Sequence, residues 1–386
     1  ATFCNSYAGY RVSWILLVLA SYYIAIVMSD EDTEVDVDPD DDEVDADTAA
    51  DDIDDNIADG EITENAEDEQ GTEEDDDVQI VPNPLTQEII AEGLSLLCKT
   101  GDGLSHAYVR LDIRACELSD IEILQSYIHL RYLDISKNML KDISAISALT
   151  HLLTLKADDN LLTSAKLEEM PFMQVASFNN NRIVTTEGIS HPLLEHLSLN
   201  NNKIKEIIGL VSSNLIRLHT LELRGNKLET TDGIYLPNLK NLYLATNVIN
   251  KIEGMSRLPG LTTIHLRGNQ IENLLGFSEL QTSLQYINLR ENLVASVKES
   301  CKLSVLPLLR ALVLSDNPCA EQDDYRMETL IGIPTLERLD KDEFTDEERA
   351  EAEALSEQRR KEEEEKAQET LGDEVNGSGD PTFPEA

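Results

Sequence analysis

The sequence predicts an α/β repeat solenoid, a curved stack of short coils with a parallel β-sheet on the concave side and short 3₁₀ turns on the convex side. Helical caps are expected at both ends, with acidic tails outside them. Three observations predict it. A nine-residue pattern (apolar, two spacers, apolar, one spacer, apolar, two spacers, then Asn or Cys) recurs ten times between Tyr108 and Asn317. The copies stand about 22 residues apart, a period that marks stacked repeats. The net charge of −44 on 386 residues is concentrated outside the repeated stretch.

Two clean copies are Leu130-x-x-Leu133-x-Ile135-x-x-Asn138 and Leu239-x-x-Leu242-x-Leu244-x-x-Asn247. This consensus at this period is that of the leucine-rich repeat. The first copy closes on Cys116, and the others close on Asn138, Asn160, Asn181, Asn202, Asn226, Asn247, Asn269, Asn292 and Asn317. The spacings run 22, 22, 21, 21, 24, 21, 22, 23 and 25. Leu133 and Ile135 share one face of a short strand because strand side chains alternate. A single strand and turn cannot bury that face, but stacked copies bury it in one continuous core. The nine asparagines form a structural ladder, since a buried amide can satisfy backbone groups at the turn with both its donors and its carbonyl. Cys116 fills the same place as a small, weak donor.

Beyond Asn138 come Leu140, Ile143, Ile146 and Leu149, and beyond Asn247 come Ile249, Ile252, Met255 and Leu258. An apolar residue at every third place suits 3₁₀ turns better than an α-helix. Coils this short leave no room for a long convex helix. Ten strands about 4.8 Å apart give a concave face roughly 45 Å long.

The caps are expected at residues 86–99 and beyond Asn317. Thr86 to Lys99 reads as an amphipathic helix with Thr86 as N-cap and Ile89, Ile90, Leu94, Leu96 and Leu97 on or near one side. After Asn317-Pro318, a helical stretch holds Tyr325, Arg326, Met327 and Leu330, and Pro334, Leu336 and Leu339 suggest a covering strand. The repeat domain with its caps therefore spans 85–344.

Residues 28–84 form an acidic tail expected to be disordered: between 29 and 77 there are 27 acids and no Lys or Arg. Its role is either a solvating leader or a segment that docks on a basic partner. Residues 345–386 begin as a charged helix with a capping box at Thr345–Glu348 and Glu-to-Lys pairs at Glu357/Lys361 and Glu362/Lys366. That stretch lacks an apolar stripe, so a solvated single helix is expected, fraying after Leu371. The domain between 85 and 339 is nearly balanced, with 30 acids and 24 bases. Two acidic tails argue against nucleic acid as a partner.

Residues 1–27 form a hydrophobic leader. Val12 to Val27 is almost wholly apolar and reads either as a signal peptide or short membrane anchor or as sequence translated from upstream of Met28, where an acidic start begins. Five cysteines (Cys4, Cys98, Cys116, Cys301 and Cys319) include no cluster flanking the repeats, as disulfide-stapled secreted repeats would have, so a cytoplasmic domain is expected and a membrane contact is not.

No phosphate loop, metal-type Cys/His spacing or nucleophile elbow is present, so neither catalysis, cofactor, metal nor small-molecule substrate is expected. His129 and His151 share one repeat position, which is a register effect of stacking on the rim. Binding should use the concave sheet, where three side chains per strand point outward. The early strands offer small or mixed residues. The later ones place Arg224, Tyr243, His265, Arg267, Tyr286 and Arg290 there, residue types enriched at interface hot spots. A basic-aromatic patch on an acidic chain would favour an acidic helix or tail.

The runs Gly93–Thr100, His106–Val109 and Ser126–Tyr132 carry a more specific likeness, as do Gly188–Pro192, Leu239–Ala245, Leu309–Leu314 and Leu336–Lys341. They resemble the leucine-rich repeat proteins of ciliary and flagellar radial spokes, over about residues 84–355 and including both caps. The resemblance implies a structural component of the third radial spoke of the axoneme in cilia and the sperm flagellum. It implies other radial spoke proteins as partners and no active site. A phosphatase-regulating repeat adaptor, or a membrane-tethered binding module if residues 12–27 are an anchor, are the alternatives left open by the residues alone.

Overall fold

The computed structural model describes residues 81–376 except residue 102, with side chains to residue 366. The hydrophobic leader and the acidic tail up to residue 80 lie outside the described residues, as does the tail after 376. Among the described residues no helix is long and apolar enough to cross a membrane.

Thirteen strands form one open sheet in strict chain order. The first is β1 (Leu94–Lys99), paired antiparallel with β2 (His106–Asp112). Nine strands of three residues follow: β3 (Tyr132–Asp134), β4 (Thr154–Lys156), β5 (Val175–Ser177), β6 (His196–Ser198), β7 (Thr220–Glu222), β8 (Asn241–Tyr243), β9 (Thr263–His265), β10 (Tyr286–Asn288) and β11 (Ala311–Val313). β12 (Arg338–Leu339) covers the last repeat in parallel, and β13 (Asp342–Glu343) folds back antiparallel to it. From β2 to β12 every pairing is parallel, because each coil brings the chain back to the same edge before the next strand begins.

The middle residue of each short strand points into the core. Leu133, Leu155, Leu197, Leu221, Ile264 and Leu312 sit in register across their strands and are almost wholly buried. The second apolar position of the pattern (Ile135, Leu199, Leu244, Leu289) is equally buried. At ~25 cal/mol per Å² of apolar surface, this column is the main source of stability, and it grows by one layer per repeat.

The convex side is more varied than the spacing suggests. 3₁₀ turns appear at Glu122–Ser126, Ser144–Ala148, Met255–Arg257 and Cys301–Val305, while other coils cross by turns and bends. The longest interval, the 25 residues between Asn292 and Asn317, makes room for a single α-helical turn, α2 (Val297–Ser300).

The first cap corrects an expectation. The helix α1 covers only Gln87–Gly93, capped by Thr86 as the sequence indicates, and the chain from Leu94 onward is strand β1. Gly93 lies so close to β2 that a Cβ there would stand 2.3 Å from the Asp112 carbonyl oxygen. Past that contact, pairing with β2 covers the sheet edge, which a longer helix would leave open. Ile90 is buried as expected, whereas Leu96 and Leu97 stand on the strand about half exposed.

At the other end α3 (Tyr325–Gly332) and α4 (Asp346–Asn376) complete the cap. The capping box forms: Thr345 Oγ1 accepts the Glu348 N–H at 3.2 Å, and a Glu348 carboxylate oxygen accepts the Thr345 N–H at 2.8 Å. Lys361 pairs with Glu357 at 2.9 Å. The helix is not solvated along its whole length, however. Ala352 is buried against the core, Arg326 reaches Glu348 at 2.7 Å, and Arg359 pairs with Glu328. Alanine at 352 lets α4 approach α3 closely without a stripe of larger apolar residues.

Candidate protein-interaction face

Each closing asparagine rivets its coil to the one before. Asn202 Oδ1 accepts the Ile183 N–H at 3.0 Å, and Nδ2 donates to the Phe178 and Leu199 carbonyls at 2.9 and 3.0 Å. The same set recurs at Asn160, Asn181, Asn226, Asn247, Asn269, Asn292 and Asn317. Asn138 takes the first place, accepting from both Cys116 and Leu118. The turn also requires a left-handed residue just before the closing one. Gly225 and Gly268 supply it in two coils, but Ala115, Lys137, Asp159, Asn180, Asn201, Thr246, Glu291 and Asp316 adopt it elsewhere with φ between 54° and 59°. The pattern in the sequence gave no sign of this, because only two of those residues are glycine.

The ladder holds the concave side chains in rows one strand apart, and the rows bond along the sheet. Asp158 Oδ1 accepts the Ser177 hydroxyl at 2.6 Å and the Asn179 N–H at 2.7 Å. Asn179 Oδ1 repeats the act one coil on, accepting from Ser198 Oγ at 2.7 Å and the Asn200 N–H at 2.8 Å. Glu222 ends this run: Asn200 Nδ2 donates to it at 2.6 Å, the Ser198 hydroxyl, whose single proton is shared with Asn179 Oδ1, lies at 2.9 Å, and His196 Nε2 stands at 3.2 Å. Burial pushes the Asp158 carboxyl above its ordinary range, despite those two donors. Burial acts in the same direction on Glu222, but the bonds from His196, Asn200 and Ser198 outweigh it and hold that carboxyl down at about 2.

The next strands carry an aromatic row. The ring of His265 lies between Tyr243, at 4.8 Å, and Tyr286, at 5.1 Å, and the Arg224 guanidinium covers the other side of Tyr243 at 4.6 Å. The sequence places these residues on one face, and the structure brings them into contact. Their availability differs from the expectation. His265 is only 2% exposed, enclosed by its two aromatic neighbours, so it supports the row from within. Arg267 bonds Glu291 at 3.0 Å, and Arg290 bonds Asp316 at 2.7 Å. Both acids occupy the left-handed place after their strands, and this pairing has no signal in the spacer positions alone. The face thus offers Tyr243, Tyr286 and three oriented guanidinium groups whose charge is largely compensated. Such a surface suits shape-specific protein contacts through aromatic and arginine groups more than binding by net charge.

His129 and His151 lie on the rim, both exposed; His151 stacks against Phe172 at 5.7 Å. Among the described residues no group of His, Cys, Asp or Glu is arranged to hold a metal ion.

A stack of short parallel strands riveted by asparagines defines a leucine-rich repeat protein, a class of modules that typically bind other proteins and are typically not catalysts. The leucine-rich repeat family model matches residues 210–370. Leucine-rich repeat-containing protein 23 of Homo sapiens is 57% identical over 293 residues, which is 76% of this chain and 85% of that protein. Its Bos taurus counterpart is 58% identical over 275 residues, covering 71% of this chain and 80% of that one. The human cilia- and flagella-associated protein 410 is 39% identical over 93 residues, 24% of this chain and 36% of that protein. The chain belongs to the leucine-rich repeat-containing protein 23 family.

Proposed function

We propose that this chain is a non-enzymatic scaffold of the axoneme in motile cilia or the sperm flagellum, which assembles or stabilises the third radial spoke through protein contacts on its concave face. The observation that carries the reading is the row from Arg224 through Tyr243 and His265 to Tyr286. It is a preorganised aromatic and guanidinium surface on a solenoid of this family. A rigid row loses little side-chain freedom on binding, which favours a permanent structural contact. A partial relative whose name places it among cilia- and flagella-associated proteins supports the ciliary setting.

Crosslinking mass spectrometry on isolated axonemes tests the proposal. Lys227 and Lys240 are exposed near the concave row and should crosslink to other radial spoke proteins. Absence of the chain from axonemes, or crosslinks confined to proteins outside the spokes, would overturn the assignment.

A further inference from the structure

A second surface lies away from the concave row. β2 has seven residues where β3 has three, so His106–Val109 runs beyond the sheet and pairs with β1 as an arm, held to the next coil by the Arg131 N–H at 2.8 Å from the Val109 carbonyl. Between this arm and the rim is a cavity of ≈ 370 Å³. Its walls are graded. Val109 is buried, and Ala107 and Leu153 are half-buried, which makes an apolar floor. The exposed lining side chains are Lys99 on the arm and His129, Arg131, His151 and Phe172 on the rim.

Among the described residues no acidic side chain lines the cup, and none of its Lys, Arg or His side chains forms an ion pair. That separates it from the concave row, where Arg267 and Arg290 already hold Glu291 and Asp316. On a chain of net charge −44, a mouth carrying Lys99 and Arg131 over an apolar floor, with no acid among its described lining residues, calls for an explanation in terms of what it meets. The cations stand on both walls, so they address separate anionic groups and not a single phosphorus centre. At this volume the cup has room for an apolar side chain together with parts of its flanking residues.

We propose that this cup is a docking site for an acidic peptide segment of a partner protein, in which one apolar side chain is flanked by Asp or Glu. The apolar group enters between Val109 and Leu153, and the flanking carboxylates meet Lys99 on one side and Arg131 on the other. This site is independent of the concave row and of the spoke assignment.

The test uses the full chain and a fluorescein-labelled acidic peptide with one central leucine, followed by fluorescence anisotropy. Arg131→Glu and Lys99→Glu should each weaken binding about tenfold, since each reverses a charge facing a carboxylate. Lys205→Glu, an exposed charge reversal far from the cup, should leave it unchanged. Replacing the peptide leucine with serine should weaken binding about fivefold, the equivalent of little more than one fully buried methylene group in an open cup. Raising salt to about 0.3 M should weaken it further. Equal binding by Arg131→Glu and the parent chain would overturn the proposal, as would indifference to the leucine. Full competition by millimolar inorganic phosphate would also overturn it and show a simple anion site.

Discussion

The Nδ1 atom of His191 accepts the backbone N–H of Met170 at 3.2 Å, joining two neighbouring coils through a ring that is 2% exposed. Only the neutral imidazole can accept that bond. Burial without an acidic partner lowers the His191 pKa from 6.5 to about 4.

The sign of the resulting pH dependence follows. A folded-state pKa below the unfolded one means that the contribution is complete above pH 6.5 and is lost as pH falls towards 4. Between neutral pH and pH 5 the chain should lose roughly 2 kcal/mol from this residue alone. Urea unfolding of the parent and of His191→Gln at both pH values measures it. The variant should be less stable at neutral pH and show a shallower decline on acidification. Parallel declines would show that His191 is not the group responsible.

The asparagine ladder predicts a steep local penalty. Asn202→Ala strands the Ile183 N–H and the Phe178 and Leu199 carbonyls in a buried layer. Leaving buried backbone groups unpaired costs about 1–3 kcal/mol each, partly relieved by relaxation, so a loss of about 3 kcal/mol is expected. Asn202→Asp restores the acceptor but neither donor and should recover little. Hydrogen exchange should report the loss first in the coils on either side of residue 202, since repeats are coupled mainly to their neighbours. A variant as stable as the parent would show that water can stand in for the amide.

These two cases mark what was legible in the sequence. The ladder was, because a fixed interval of leucines and asparagines has one low-energy arrangement, the stacked coil. Strand positions follow from the same interval, and the last cap from the apolar residues after Asn317-Pro318. The first cap is ambiguous in the sequence because Leu94, Leu96 and Leu97 fit a helical face as well as a strand, and only the nearby sheet edge decides between them. On the concave face the rows were legible and their pairing was not. That His265 would be enclosed, and Arg267 and Arg290 engaged, depends on residues one coil away, 21 to 26 positions along the chain.

The left-handed turn offers a test of strain. Thr246 holds φ at 54°, a conformation that a β-branched residue adopts at a disadvantage, while Gly225 and Gly268 fill the equivalent place in the coils before and after. Thr246→Gly should therefore be stabilising by about 1 kcal/mol, the relief of strain exceeding the added freedom of the unfolded chain. The reverse change should be harmful at Gly225, where a Cβ would meet the Asn201 Oδ1 at 2.1 Å. Thermal melts of Thr246→Gly and Gly225→Ala should move in opposite directions. If both fall, the threonine side chain contributes more than its backbone loses.

The aromatic row makes the remaining prediction, and it connects the fold to the proposed role. Tyr243 is packed on one side by Arg224 and on the other by His265, so Tyr243→Ala removes both contacts and opens the buried ring of His265 to water. Aromatic and cation–π pairs of this kind contribute about 0.5–1.5 kcal/mol each beyond their area, so the chain should lose about 2 kcal/mol and remain folded. A purely structural row would show that loss and nothing else. If the row is the spoke contact, Tyr243→Ala and Tyr286→Ala should each reduce recovery of the chain in axonemes by about tenfold, as hot-spot truncations do. Tyr243→Phe keeps the stack and should restore recovery. An equally destabilising change away from the row, Val297→Ala on the convex side, should leave recovery near the parent level. Loss of recovery in step with stability in all of these variants would place the spoke contact elsewhere on the molecule.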